Sequence, residues 1–157
     1  MFVQLSPLTL VVVNVIAWPV IHLGVAYLGT QFTDSVFHPR NWLFRPRRWE
    51  SSGRVYETFF RIRNWKDRLP DGAAWFAKGF PKKRLVSCKA SYLDRFLRET
   101  CRSEAVHLMV LLMSFLFFVW NPPWIGWLMV LYAILANLPC IVTQRYNRLR
   151  LFRIRTP

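Results

Sequence analysis

No charged side chain occurs among the first 33 residues, and none occurs between Ala105 and Gln144. Acidic residues are few, with 8 Asp and Glu against 22 Lys and Arg for a net charge of +14. Stretches this long without charge exclude a soluble domain whose helices each turn a charged face to water. The 3 cysteines, Cys88, Cys101 and Cys140, have neither CxxC nor CxxH spacing, so no zinc or dithiol motif is present. They are expected as free thiols that pack as small apolar residues.

Motifs are missing as well. There is no G-x-S-x-G nucleophile elbow, no P-loop and no dinucleotide fingerprint. H-E-x-x-H is absent, and the single Glu104-x-x-His107 has no second copy to complete a di-metal carboxylate site, so no metal is expected. The HxxxxD pair of many glycerolipid acyltransferases is absent too: Tyr27, Leu43 and Leu112 stand five residues after His22, His38 and His107.

What is present is apolar and aromatic. Hydrophobic residues make up 54% of the 157 and aromatics 17%, with 8 Trp. That content is compatible with a charge of +14 only because the two are segregated along the chain. Lys and Arg lie in two stretches, 17 from Arg40 to Arg102 and 5 from Arg145 to Arg155. The run from about Pro7 to Leu28 has the roughly 20 residues a spanning helix needs. Gly24-Val-Ala26 would pass as a signal cleavage site, but no Lys or Arg precedes the run, so it is read as a span. Pro19 is expected to kink it. Asn14 and His22 are expected to face other helices rather than lipid.

Two further apolar runs, residues 105–120 and 124–143, flank Asn121-Pro-Pro123, where consecutive prolines stop a helix. Trp120, Trp124 and Trp127 around the break suit a membrane interface. The second run is short for a crossing; it starts below the interface or forms a re-entrant hairpin. The expectation is an all-α integral membrane protein of one domain, with three spans and a basic segment, residues 31–104, between the first and second. Lys and Arg are confined to that segment and to the tail, residues 144–157. The positive-inside rule therefore predicts both on the cytoplasmic side of the cell membrane and an external N-terminus.

The basic segment interleaves bases with Trp42, Phe44, Trp49, Tyr56, Phe59, Phe60, Trp65, Trp75 and Phe76. This suits the headgroup level of a bilayer, with anionic lipid as the partner. Nucleic-acid binding is the rival use of the pattern; membrane anchoring already accounts for it, so no nucleic acid is expected. Ser91-Tyr-Leu-Asp94 reads as a variant capping box opening a helix that continues into the second span.

Three polar constellations stand out. Glu104 and His107, three apart on one helix face, form a candidate base and its orienting carboxylate; the alternative is a histidine that only makes polar contacts at the interface. Ser103 is the one candidate nucleophile near it, with no nucleophile motif around it. Gln144-Arg-Tyr-Asn-Arg148 follows the third span. Arginine alone suffices as a positive-inside stop, so Gln144, Tyr146 and Asn147 suggest a polar site, with Asn137 about two turns earlier pointing into the bundle. Trp65-Lys66 and Asp71-Gly72 flank a turn sequence that is structural or binds a sugar or phosphate.

Leu28-Gly-Thr30 with Asp34, Arg63 with Trp65-Lys66, Asp71-Gly72, Glu99-Thr100-x-Arg102-x-Glu104-x-x-His107, Tyr132-Ala133 with Ala136-Asn137-x-Pro139, and QRYNR with Arg150-Leu151 occur in this order. The set resembles the glycosyl-4,4′-diaponeurosporenoate acyltransferase family, the last enzyme of staphyloxanthin biosynthesis, over nearly the whole chain. The sequence departs from that pattern at Asp67 and Pro70 and at Leu149 after QRYNR. The resemblance implies transfer of a fatty acyl group to a hydroxyl of a glucosyl carotenoid ester, or of another glycolipid or lipid alcohol. It implies acyl-CoA as donor, with no other cofactor, and an apolar glycosylated acceptor as partner. His107 with Glu104 would be the base, and Arg102, Arg145 or Asn147 would stabilise the oxyanion. Asn137, Gln144, Tyr146, Arg148, Trp65, Lys66 and Asp71 would complete the substrate contacts. A non-catalytic scaffold binding anionic lipid or a partner protein explains the charge and Trp content equally well. A small transporter is the third class, opposed by the few intramembrane polar groups and the absence of a repeat.

Overall fold

The structure, a computed structural model, describes residues 5–69, 79–82 and 84–155. Asp71 and the rest of the predicted turn at residues 70–72, with Trp75 and Phe76, lie outside the described residues. Among the described residues, four α-helices carry the fold: α1 (Pro7–Gln31), α2 (Arg54–Thr58), α3 (Ala90–Met113) and α4 (Pro123–Arg155). A 3₁₀ segment, Ser114–Val119, continues α3, and short 3₁₀ turns stand at Arg48–Gly53, Ile62–Asn64 and Lys66–Arg68. No strand occurs among the described residues. Among the described residues, three stretches are long and apolar enough to cross a membrane: Pro7–Gln31, Ala90–Val119 and Pro123–Ile154. The fold is that of an all-helical integral membrane protein with one N-terminal and two C-terminal spans.

As the sequence suggested, the helix that opens near Ser91 continues into the second apolar run, in a 30-residue stretch, Ala90–Val119. Two boundaries differ from the sequence reading. The capping assignment is displaced: the Lys89 carbonyl already accepts from the Leu93 amide, which puts Ser91 inside the first turn. The helix opens where expected. The tail is no separate segment, because α4 continues through QRYNR to Arg155. Both α1 and α4 also run on through an internal proline, Pro19 and Pro139.

The chain forms two compact units. One comprises Met1–Gln31 and Ala105–Leu138, the other Phe32–Glu104 and Pro139–Pro157. In the first, the outward residues of α1 are apolar and exposed, among them Leu8, Val11, Val15, Ile16 and Val20, as lipid-facing positions must be. Its interior is aromatic and amide. The Trp18 ring stacks on Phe117 at 4.5 Å and tilts against Tyr132 at 4.8 Å, while its indole N–H reaches Met129 Sδ at 3.4 Å. Asn14 Nδ2 donates to Asn121 Oδ1 at 2.9 Å, and Asn14 Oδ1 accepts from Asn121 Nδ2 at 2.9 Å and from Trp120 Nε1 at 2.8 Å. As expected, Asn14 turns to protein instead of lipid. Asn121 also donates to the Phe117 carbonyl, so the residue that breaks the hairpin fixes its own turn. His22 stands half-buried against the Trp18 ring. Gly29 admits Val106, whose methyl would lie 2.6 Å from any Cβ placed there, the close approach that small residues permit between membrane helices.

In the second unit the polar end of α4 becomes the core. Val142, Tyr146 and Leu149 pack with Tyr56 and Ile62, and Leu151 packs with Phe80, Leu93, Phe96 and Leu97. The interleaved aromatics therefore divide. Phe44 and Tyr56 are buried, whereas Trp42, Trp49, Phe59 and Phe60 remain exposed. Asn14→Leu is expected to strand the Asn121 amide oxygen and the Trp120 indole N–H, at about 1–3 kcal/mol. Thermal unfolding in detergent should show the loss, while Asn14→Gln retains part of the stability.

Candidate functional site

Successive residues of a helix point about 100° apart, so QRYNR sends its five side chains around α4, with Arg145 and Arg148 on a common face. On α3, Cys101 and Glu104 share a face for the same reason. Glu104 is buried and receives both arginines. Its Oε1 accepts from Arg145 Nη1 at 3.1 Å and its Oε2 accepts from Arg148 Nη2. Arg148 is wholly buried; its Nε donates to the Phe44 carbonyl at 3.1 Å, its Nη1 points to Cys101 Sγ at 3.6 Å, and its charge lies over the Phe44 ring.

A second carboxylate completes the cluster. After Glu50 the chain passes through three consecutive left-handed residues, Ser51, Ser52 and Gly53, with φ of 46°, 54° and 95°. Two serines in that region are uncommon. They are held there by Arg153, which donates through Nε and Nη2 to the Ser52 carbonyl. The reversal leaves Glu50 wholly buried, accepting from Arg145 Nε at 2.7 Å and from the Tyr56 hydroxyl at 2.8 Å. Burial pushes the Glu50 carboxyl up. The hydrogen bonds from Arg145, the Arg47 amide and Tyr56 outweigh it and hold the carboxyl below the usual range. Tyr56 is displaced well above the ordinary phenol value, by burial first and then by the Glu50 carboxylate.

Arg145 uses all five of its N–H donors within the protein. Besides Glu50 and Glu104 they reach the carbonyls of Leu43 at 2.9 Å and Arg45 at 3.0 Å. Two guanidiniums and two carboxylates are thus neutralised together, and each of their nitrogens and oxygens has at least one partner. This is the condition under which buried charge is tolerated. In this arrangement Arg145 and Arg148 are structural cations.

The remaining predicted residues of this unit fall in separate places. The wholly buried Tyr146 donates its hydroxyl to Glu57 Oε1 at 2.9 Å and accepts from Arg63 Nε at 3.3 Å. Gln144 Oε1 and Thr143 Oγ1 are buried with no hydrogen-bond partner among the described residues, and Asn147 is half-buried. Arg102 joins Glu99 and Asp34, both at 2.6 Å, over the Phe37 ring. Trp65 donates to the Phe60 carbonyl at 2.8 Å, and Lys66 pairs with Asp67 at 2.8 Å. An open cleft of about 480 Å³ is lined by Ser51, Ser52, Arg54, Val55, Thr58 and Phe59. No group of three or more His, Cys, Asp or Glu arranged to hold a metal occurs among the described residues.

In the other unit, His107 Nδ1 lies 2.8 Å from Asn137 Oδ1. Asn137 is wholly buried and donates its Nδ2 to the Ala133 carbonyl at 2.9 Å, one turn back on α4. The sequence pointed to both residues but did not pair them. Glu50 was missed, and Tyr56 was read only as one of the interleaved aromatics. In a chain with 8 acids and 22 bases, each acid is a presumptive partner for a buried base, and that was the available signal.

Residues 39–156 match the family model described as glycosyl-4,4′-diaponeurosporenoate acyltransferase. The chain is also similar to the curated glycosyl-4,4′-diaponeurosporenoate acyltransferases of Staphylococcus aureus strains bovine RF122 / ET3-1 and MRSA252. Identity is 28% over 137 residues, spanning 87% of this chain and 82% of each relative. No solved structure matches.

Arg148→Leu should cost about 3–5 kcal/mol because it leaves Glu104 buried without one of its partners. In the Glu104→Leu/Arg148→Leu double variant the loss should be less than the sum of the two single losses, as thermal unfolding of all three would show. The depressed Glu50 carboxyl contributes stability that is complete above the ordinary Glu range and disappears as pH falls through its folded value. The melting temperature should therefore drop on acidification below that range, with a flatter acid limb in Glu50→Gln.

Proposed function

The chain belongs to the glycosyl-4,4′-diaponeurosporenoate acyltransferase family and is an acyltransferase, and on that premise we propose that it acylates a hydroxyl of a glycosylated carotenoid or related glycolipid from a thioester donor. One observation carries the reading: the family match over residues 39–156 contains every candidate polar residue named above. The acceptor is apolar with a polar sugar end, and three apolar helices suit a protein that takes such a substrate from the bilayer.

In the proposed reaction the acceptor hydroxyl oxygen attacks the thioester carbonyl. A C–O bond forms, the C–S bond breaks, and the hydroxyl proton passes through His107 to the departing thiolate. His107 is the base because it is an imidazole fixed by a hydrogen bond, the arrangement general-base catalysis requires. Gln144 and Asn147 are assigned to the sugar hydroxyls, Gln144 because its carbonyl oxygen has no other hydrogen-bond partner among the described residues. Acyl-CoA is the proposed donor. The cleft beside Ser51, Ser52 and Arg54 has the volume of a small-molecule site and a cation for a phosphate. Exposed Trp42, Trp49 and Phe59 amid bases are proposed to rest on anionic lipid headgroups. The segregation of Lys and Arg places the basic segment and C-terminus on the cytoplasmic side in this reading.

The test is an acyl-transfer assay on purified protein in lipid, with radiolabelled long-chain acyl-CoA and a glycolipid extract. The native chain should form a labelled acylated lipid, and His107→Ala should lower the rate by about 100- to 10,000-fold. Equal rates would remove His107 from the chemistry while leaving the enzyme. No product from any of several acyl donors, with folded protein, would favour a lipid-binding scaffold.

A further inference from the structure

A neutral imidazole carries one proton on either of two nitrogens, and the hydrogen bond at one nitrogen decides which of the two is basic. In the first unit the choice follows from a short chain of bonds. The Ala133 carbonyl only accepts, so the Asn137 atom 2.9 Å from it is the amide nitrogen. This orients the amide and turns its oxygen toward His107 Nδ1 at 2.8 Å. An amide oxygen also only accepts, so Nδ1 must carry the proton. Asn137 is wholly buried, so its amide is shielded from water.

We propose that Asn137 is a positioning residue that holds His107 as the Nδ1–H tautomer and leaves the lone pair on Nε2, the nitrogen that accepts the substrate proton. The inference deepens the acyl-transfer reading by replacing a substrate-contact role for Asn137 with control of the base. Ala133 and Asn137 lie four apart on α4, so one helical turn sets the amide and the amide sets the ring. No charge is brought into the apolar unit to do this. A carboxylate would orient the ring equally well but would have to be desolvated there.

The experiment reads the tautomer directly. The full chain, with ¹⁵N-labelled histidine, is placed in lipid nanodiscs, and the His107 resonances are identified by their loss in His107→Gln. At a pH where the ring is neutral, Nδ1 should show the protonated shift and Nε2 the unprotonated one. An Nε2–H ring in the native protein would overturn the proposal without any activity measurement. Asn137→Leu should release the ring to a mixture or to Nε2–H and lower kcat by at least about tenfold. Asn137→Asp retains an acceptor and should keep Nδ1–H. A ring that remained Nδ1–H in Asn137→Leu would show that another group sets it, which also defeats the proposal. If the tautomer behaves as stated but His107→Ala keeps full activity, the positioning inference stands and the role of His107 as base fails.

Discussion

The second unit depends on the burial of Arg148 against Glu104. A guanidinium taken wholly out of water is costly unless its nitrogens find partners, and the contact here joins three separate parts of the chain. Phe44 supplies a carbonyl and a ring face, α3 supplies Glu104 and Cys101, and the last turns of α4 supply the cation. Arg145, one turn before, repeats the arrangement with Glu50 and two backbone carbonyls. The pairing thus ties residues 43–50 to the two long helices of its own unit. Apolar contacts through Tyr56, Ile62 and Tyr146 fill the space beside it.

The first unit meets a different constraint. Its outward surface is apolar, so its interior polar groups must satisfy one another. They do so with neutral groups: Asn14 with Asn121 and Trp120, and His107 with Asn137, which in turn donates to the Ala133 carbonyl. Amides supply donors and acceptors without the desolvation burden of ions, and each also fixes the orientation of its neighbour. Charge is handled in one unit and dipoles in the other.

This division bears on how the QRYNR residues are used. QRYNR is the most distinctive motif in the sequence, yet two of its five residues, Arg145 and Arg148, are committed to the fold. Tyr146 is committed too, to Glu57 and Arg63. In the proposed reaction, substrate contact is assigned to Gln144 and Asn147, and the base is the imidazole of His107. A motif can thus mark a family through its scaffold as much as through its reacting groups.

The sequence alone determined the membrane class, the three spans and the break at Asn121-Pro-Pro123. Each of these rests on local properties: apolar length, absence of charge, and the missing donors of proline. It also singled out His107, Asn137 and the arginines of QRYNR, because polar residues beside or within apolar helices are few. It did not show that Arg145 and Arg148 are neutralised by Glu50 and Glu104, or that Asn137 holds His107. Those pairings join residues 30 to 95 positions apart, and no spacing rule or periodicity reaches across such distances. Only the tertiary structure could decide them, because partners for a buried polar group are set by which atoms packing brings within 3 Å.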